Sequence, residues 1–175
     1  MTESILDRDK HRMLIADLPN VCQQSGVPPS FIHKSMREFC PQIECDWVQG
    51  YHRIKHKGTC GLVLVGEDVE RRCLAISGEL IRNYIDARVI TLQTMLDQEV
   101  NPTVLVIPNF HISAIDCKAH PSWKVDQVYS VLLDRMSTGL QTILGVTSME
   151  DVQMAYGDNV VKHLTSNYVF SVVKG

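Results

Sequence analysis

Apolar and polar positions change rhythm near residue 60. Beyond it, short continuous apolar runs alternate with segments whose apolar residues recur every three or four positions. Residues 61–65, Gly-Leu-Val-Leu-Val before Gly66, form an unbroken apolar run of the kind that predicts a strand buried on both faces, as parallel sheets require. Val69, Cys73, Ile76, Leu80 and Tyr84 then mark one stripe of a helix. Residues 88–92 predict a second strand, and residues 102–107 a third, stopped by Pro108. Val125, Val128, Leu132 and Met136 predict a helix with Ser122 as N-cap. Residues 142–146 read as a fourth strand, Ser148-x-x-Asp151 as a capping box opening a helix, and residues 168–173 as the last strand. This alternation predicts an α/β fold: three layers, α/β/α, around a mostly parallel five-stranded sheet. The first 60 residues are less regular. Met13, Ile15, Leu18 and Val21 suggest a helix, residues 27–29 (Val-Pro-Pro) break the chain, and the pattern from there to Gly58 is ambiguous.

Composition narrows the class. At 175 residues, 45% hydrophobic and 21% charged, the chain fits one globular domain, 1–175, with residues 1–24 a helical extension. No apolar run approaches the roughly 20 residues a helix needs to cross a bilayer, so no membrane partner is expected. Cys22, Cys40, Cys45, Cys60, Cys73 and Cys117 show no C-x-x-C spacing and follow no signal peptide, so they read as reduced thiols of a cytoplasmic protein. The net charge of −3 gives no global attraction to nucleic acid. The charge is unevenly spread, however: residues 1–60 carry eight Lys/Arg against seven Asp/Glu, residues 61–175 nine against thirteen.

In an open parallel sheet, the turn after the first central strand is where a nucleotide's phosphates would sit. That turn runs Gly66-Glu67-Asp68-Val69-Glu70-Arg71-Arg72-Cys73. Set against G-x-x-x-x-G-K-[ST], it keeps the first glycine only. Arg71 replaces the second glycine, Arg72 the lysine, and Cys73 the hydroxyl that binds magnesium. Three acids in the loop oppose a polyphosphate. The third strand is followed by Pro108-Asn109, where nucleotide hydrolysis needs acids to hold magnesium and orient water. No ATPase activity and no cofactor are expected.

The order of these motifs resembles the P-loop NTPase (AAA+) core of bacterial and phage helicase loaders of the DnaC and IstB type. Residues 25–32, Ser-Gly-Val-Pro-Pro-Ser-Phe-Ile, look like the family's opening Gly-[IV]-Pro-Pro step. Residues 61–75 fall at its phosphate loop and 103–109 at its metal-binding strand. Residues 125–135 are similar to the following helix, 141–151 to the sensor strand and next helix, and 155–164 to the closing Tyr-Gly…Arg-Leu segment. The likeness spans roughly residues 25–173. Thr147 stands where a sensor Asn is usual, and His163 where a trans-acting arginine is usual. The resemblance implies a degenerate core that no longer uses ATP but keeps two habits of such loaders: contact with single-stranded DNA and side-by-side assembly, hence a homo-oligomer.

Candidate binding residues follow. Tyr51, Arg53, Lys55 and Lys57, with His52 and His56, interleave an aromatic with cations, as a single-strand platform does; if the segment is extended, Arg53, Lys55 and Lys57 share one face. Arg71 and Arg72 at a helix start fit a nucleic-acid phosphate, or else pair with Glu67, Asp68 or Glu70. His111, Lys118 and Trp123, with His120, occupy the irregular stretch after the third strand, a natural binding region or an ordinary loop. Cys40, Cys45, His52, His56 and Cys60 offer zinc ligands, but with fewer intervening residues than a zinc finger uses. The expected function is a nucleotide-independent, single-stranded-DNA-binding accessory protein that holds melted DNA and recruits a replication or transcription machine, either a helicase or a phage RNA polymerase. The alternative is a protein–protein module acting on a helicase loader or ATPase ring without touching DNA.

Overall fold

In a computed structural model, which describes residues 8–56, 58–112 and 119–173, the strands form one five-stranded, all-parallel sheet between two helical layers. The strands are β1 (Gly61–Gly66), β2 (Ala87–Val89), β3 (Val104–His111), β4 (Gln141–Val146) and β5 (Tyr168–Val173), in the order β2-β3-β4-β1-β5. The interior strand β1 places Leu62 beside Ile143 of β4 and Val169 of β5. Before the sheet come α1 (Arg8–Ala16), α2 (Leu18–Ser25), α3 (Pro29–His33), a 3-10 turn (Met36–Glu38), α4 (Gln42–Gln49) and α5 (Tyr51–His56). The remaining helices are α6 (Val69–Arg82), α7 (Leu92–Asp97), α8 (Ser122–Ser137), α9 (Met149–Tyr156) and α10 (Asp158–Asn167).

The two faces of the sheet carry two cores. Leu62, Leu64, Val104, Val106 and Ile143 pack with Cys73, Ile76 and Leu80 of α6 and with Ile32 and Trp47 from the N-terminal helices. Val63, Leu105, Ile107 and Leu144 point the other way, onto Val128 and Leu132 of α8 and Val160 and Leu164 of α10. Unbroken apolar strands are therefore the consequence of burial on both sides. From β1 the chain crosses to the β2 edge; from β4 it crosses back over β1 to β5. The crossovers thus leave in opposite directions between β1 and β4, the switch point of the sheet, and ligands of open α/β sheets bind outside the carboxyl ends of the strands at such a point.

Several expected boundaries move. Pro108 does not end the third strand, which runs on to His111 through an irregularity: Ile107 pairs with Leu144, yet His111 pairs with Val146, so the extra residues bulge and proline's missing N–H costs no ladder bond. The expected strand over residues 88–92 is confined to β2, because Thr91 caps α7, its hydroxyl accepting from the Thr94 N–H at 3.1 Å. Tyr84 leaves the apolar stripe: α6 ends at Arg82, and Tyr84 is exposed with φ 59°. Met136 is also partly exposed, and Pro121, not Ser122, is the cap of α8. Ser148 does cap α9, accepting from the Asp151 N–H at 3.2 Å. Among the described residues no helix is long and apolar enough to cross a membrane.

Candidate functional site

The crevice at the carboxyl ends of the strands is a cavity of about 620 Å³. It is lined by Gly66, at the end of β1, by Asn109 and Ile112, at the end of β3, by Asp68, Val69, Glu70, Arg71 and Leu74 from the start of α6, and by Phe31 from α3. Two glycines let these elements converge. A Cβ on Gly145 would lie 2.1 Å from the Pro108 carbonyl oxygen and 2.4 Å from Val69, so only glycine lets the β3 bulge and α6 approach β4. Gly66, with φ 106°, would put a Cβ 1.9 Å from the Val173 carbonyl oxygen. The glycine shared with a phosphate loop is thus required by the neighbouring strand β5.

Arg72 lies inside the protein, which corrects its assignment as a phosphate-binding cation: it is 2% exposed and pairs with Glu44 of α4, 0% exposed. Its Nε donates to Glu44 Oε1 at 2.9 Å and its Nη2 donates to the same oxygen. Nη1 reaches the Glu67 carbonyl at 3.2 Å and the Val65 carbonyl at 3.4 Å. Ser171 of β5 closes the cluster, accepting from Arg72 at 3.1 Å and donating to Glu44 at 2.6 Å. The carboxylate that pairs with it is therefore not that of Glu67, Asp68 or Glu70 of the same turn. A cation where the phosphate-loop lysine would stand is spent on bolting α4 to the sheet. Cys40 lies beside this pair; burial, then the Glu44 carboxylate, push its thiol up.

Arg71 stays exposed. Its guanidinium lies 5.0 Å from the ring centre of Phe39, the Lys34 ammonium lies 5.7 Å from the same ring, and Phe39 lies 5.6 Å from Phe31, the wall of the crevice. Both cations fall within cation–π range. Phe31, Lys34 and Phe39 are not among the binding residues that the motifs suggest. The signal was the one found at residues 51–57, aromatics interleaved with basic groups over residues 31–39, but broken by a turn.

The remaining candidates separate. Residues 51–56 are helical, so the extended alternation that would align Arg53 with Lys55 does not apply. Tyr51 is 3% exposed, packed against Trp47, and so is closed as a stacking platform. Arg53 is exposed on α5, which precedes β1, whereas Arg71 lies in the helix that follows it. Lys57 and Lys118 lie outside the described residues. His111 is 2% exposed, which corrects its reading as a surface contact: with His120 it surrounds Tyr156, whose hydroxyl donates to the Phe110 carbonyl at 2.8 Å. Trp123, in the first turn of α8, is 63% exposed. His163 is buried between Tyr129 and Tyr168. Among the described residues no three His, Cys, Asp or Glu side chains are grouped to hold a metal ion.

The architecture is that of a three-layer α/β/α protein with a P-loop-like sheet, in which the arginine at the phosphate-loop lysine's position is buried and already paired. No protein-family model matches the chain, and no curated protein matches it.

Proposed function

We propose that this chain is a nucleotide-independent, single-stranded-DNA-binding accessory protein on a degenerate AAA+-like core of the DnaC and IstB type, which holds melted DNA and recruits a helicase or an RNA polymerase. The observation that carries the reading is the Arg72–Glu44 pair. A phosphate-loop lysine must be free to meet the β- and γ-phosphates; here the corresponding guanidinium is buried, neutralised and hydrogen-bonded to the protein. The cations left at the surface of this end, Arg71 and Lys34, sit on aromatic rings, the combination that binds single strands through backbone charge and base stacking. Assembly into a homo-oligomer follows from the resemblance.

Titration of labelled single-stranded and duplex oligonucleotides at two salt concentrations tests the reading. The single strand binds more tightly, with affinity falling as salt rises, and Arg71→Ala reduces the slope of log K against log salt by about one. Absence of salt-dependent binding at micromolar protein sinks it. That outcome favours the protein–protein module, for which the exposure of Trp123 and of Met154 on α9 is the supporting observation. Tight magnesium-dependent ATP binding would contradict both.

A further inference from the structure

We infer that the crevice takes an unstacked nucleobase of the bound strand, and not a phosphate, with Arg71 and Lys34 holding the phosphates outside it; this rests on the single-strand reading above. The position is the one where a nucleotide's phosphates would lie, but its charge is wrong for an anion. Arg72 is withdrawn, while Glu67, Asp68 and Glu70 are exposed around the turn. A base has the opposite requirements: flat apolar faces and N–H donors on its edge.

The crevice meets both. Phe31, Val69, Leu74 and Ile112 give it apolar walls. Asp68 and Glu70 supply acceptors, and Asp68 is not occupied in capping α6, since its side chain makes no cap hydrogen bond. Asn109, exposed in the β3 bulge, adds an amide that both donates and accepts. Arg71 also lines the crevice, but its guanidinium lies over the ring of Phe39, which is outside the lining and packs against the Phe31 wall, and Lys34 lies over the same ring. Charge is thus sorted with acceptors in the lining and the cationic heads gathered over Phe39 beside it, matching a nucleotide that enters base first. Carboxylates at the edge also discriminate: the N4 amino group of cytosine donates to them, whereas the O4 of thymine presents a second acceptor and is repelled.

The experiment measures binding of equal-length oligodeoxycytidylate, oligothymidylate and an abasic deoxyribose-phosphate strand by fluorescence anisotropy. Wild-type protein is expected to bind cytidylate about tenfold more tightly than the abasic strand, within the range of one stacked base, and severalfold more tightly than thymidylate. Phe31→Leu, which keeps an apolar side chain and hence the fold, reduces the base-to-abasic ratio to about two without weakening the abasic strand. Asp68→Asn with Glu70→Gln removes the preference for cytosine. Lys34→Ala with Arg71→Ala weakens all strands alike. Equal binding of abasic and base-bearing strands by wild type overturns the base pocket and leaves the single-strand reading standing; no salt-dependent binding of any strand overturns both.

Discussion

Each end of the sheet buries an arginine, and the two are handled differently. Arg72, at the carboxyl end, meets a carboxylate, Glu44, from the neighbouring helix α4 and a hydroxyl, Ser171, from the sheet. Arg135, at the amino end and 1% exposed, is held by neutral oxygens: Thr142 Oγ1 at 2.9 Å, the Gln141 carbonyl at 2.7 Å and the Pro102 carbonyl at 3.1 Å. Burial lowers its pKa to about 10, with Tyr168 and Tyr51 opposing that shift. The difference lies in what each leaves behind when removed: the carboxyl end would strand a charge, the amino end only dipoles. One end is an electrostatic joint between the N-terminal helices and the sheet; the other is a hydrogen-bonded brace across the starts of β3 and β4.

The largest expected effect breaks the joint. Arg72→Met leaves Glu44 charged and fully buried, and should cost about 3–5 kcal/mol in urea unfolding. Adding Glu44→Leu removes the stranded charge, and the double variant should recover most of the loss, since a buried pair is often replaceable by apolar side chains. A double variant no more stable than Arg72→Met would mean that the loss comes from packing and from the Val65 and Glu67 carbonyls. Because the pair lies behind the crevice, the recovered double variant should also keep single-strand binding.

Arg135→Met should cost less, about 2 kcal/mol, the loss expected for buried oxygens left without donors. No second substitution should be needed to relieve a charge. A cost equal to that of Arg72→Met would erase the distinction between the two ends. The measurement is again the urea midpoint, with the slope checked for constancy so that the change reports stability.

The contrast between the arginines also explains what could be anticipated from residue order. The strands β1, β4 and β5 and the helix α6 follow from periodicity because burial on one or both faces imposes it on consecutive residues. The bulged end of β3 was hidden by Pro108, whose missing N–H reads as a stop unless the neighbouring strand is known to leave that position unpaired. Arg72 could be recognised as a departure from a phosphate loop, but not as half of an ion pair, because Glu44 stands 28 residues earlier in an irregular segment. Lys34, Phe39 and Arg71 likewise become one surface only when α3 and the following turn pack on α6. Charges on helices can be located from the sequence; their partners, set by tertiary packing, cannot.

The smallest effect concerns a third buried basic group. His163 of α10 faces Tyr129 of α8 and Tyr168 of β5, with Asn167 of its own helix 3.4 Å from Nδ1; no carboxylate is among these neighbours. Burial lowers its pKa from the ordinary 6.5. In the unfolded chain the ring takes up its proton near pH 6.5, whereas in the folded protein it resists until a lower pH. Between those values the unfolded state binds more protons, so stability is full above about pH 6.5 and declines as pH falls through the window. His163→Leu should flatten the dependence of the urea midpoint on pH between 7 and 5.5 while leaving the carboxylate-driven loss at lower pH in place. An unchanged profile would assign the acid sensitivity elsewhere. A profile of opposite slope would show that the ring is stabilised as a cation, making this end of the sheet, like the other, a place where a buried charge has found its counter-charge.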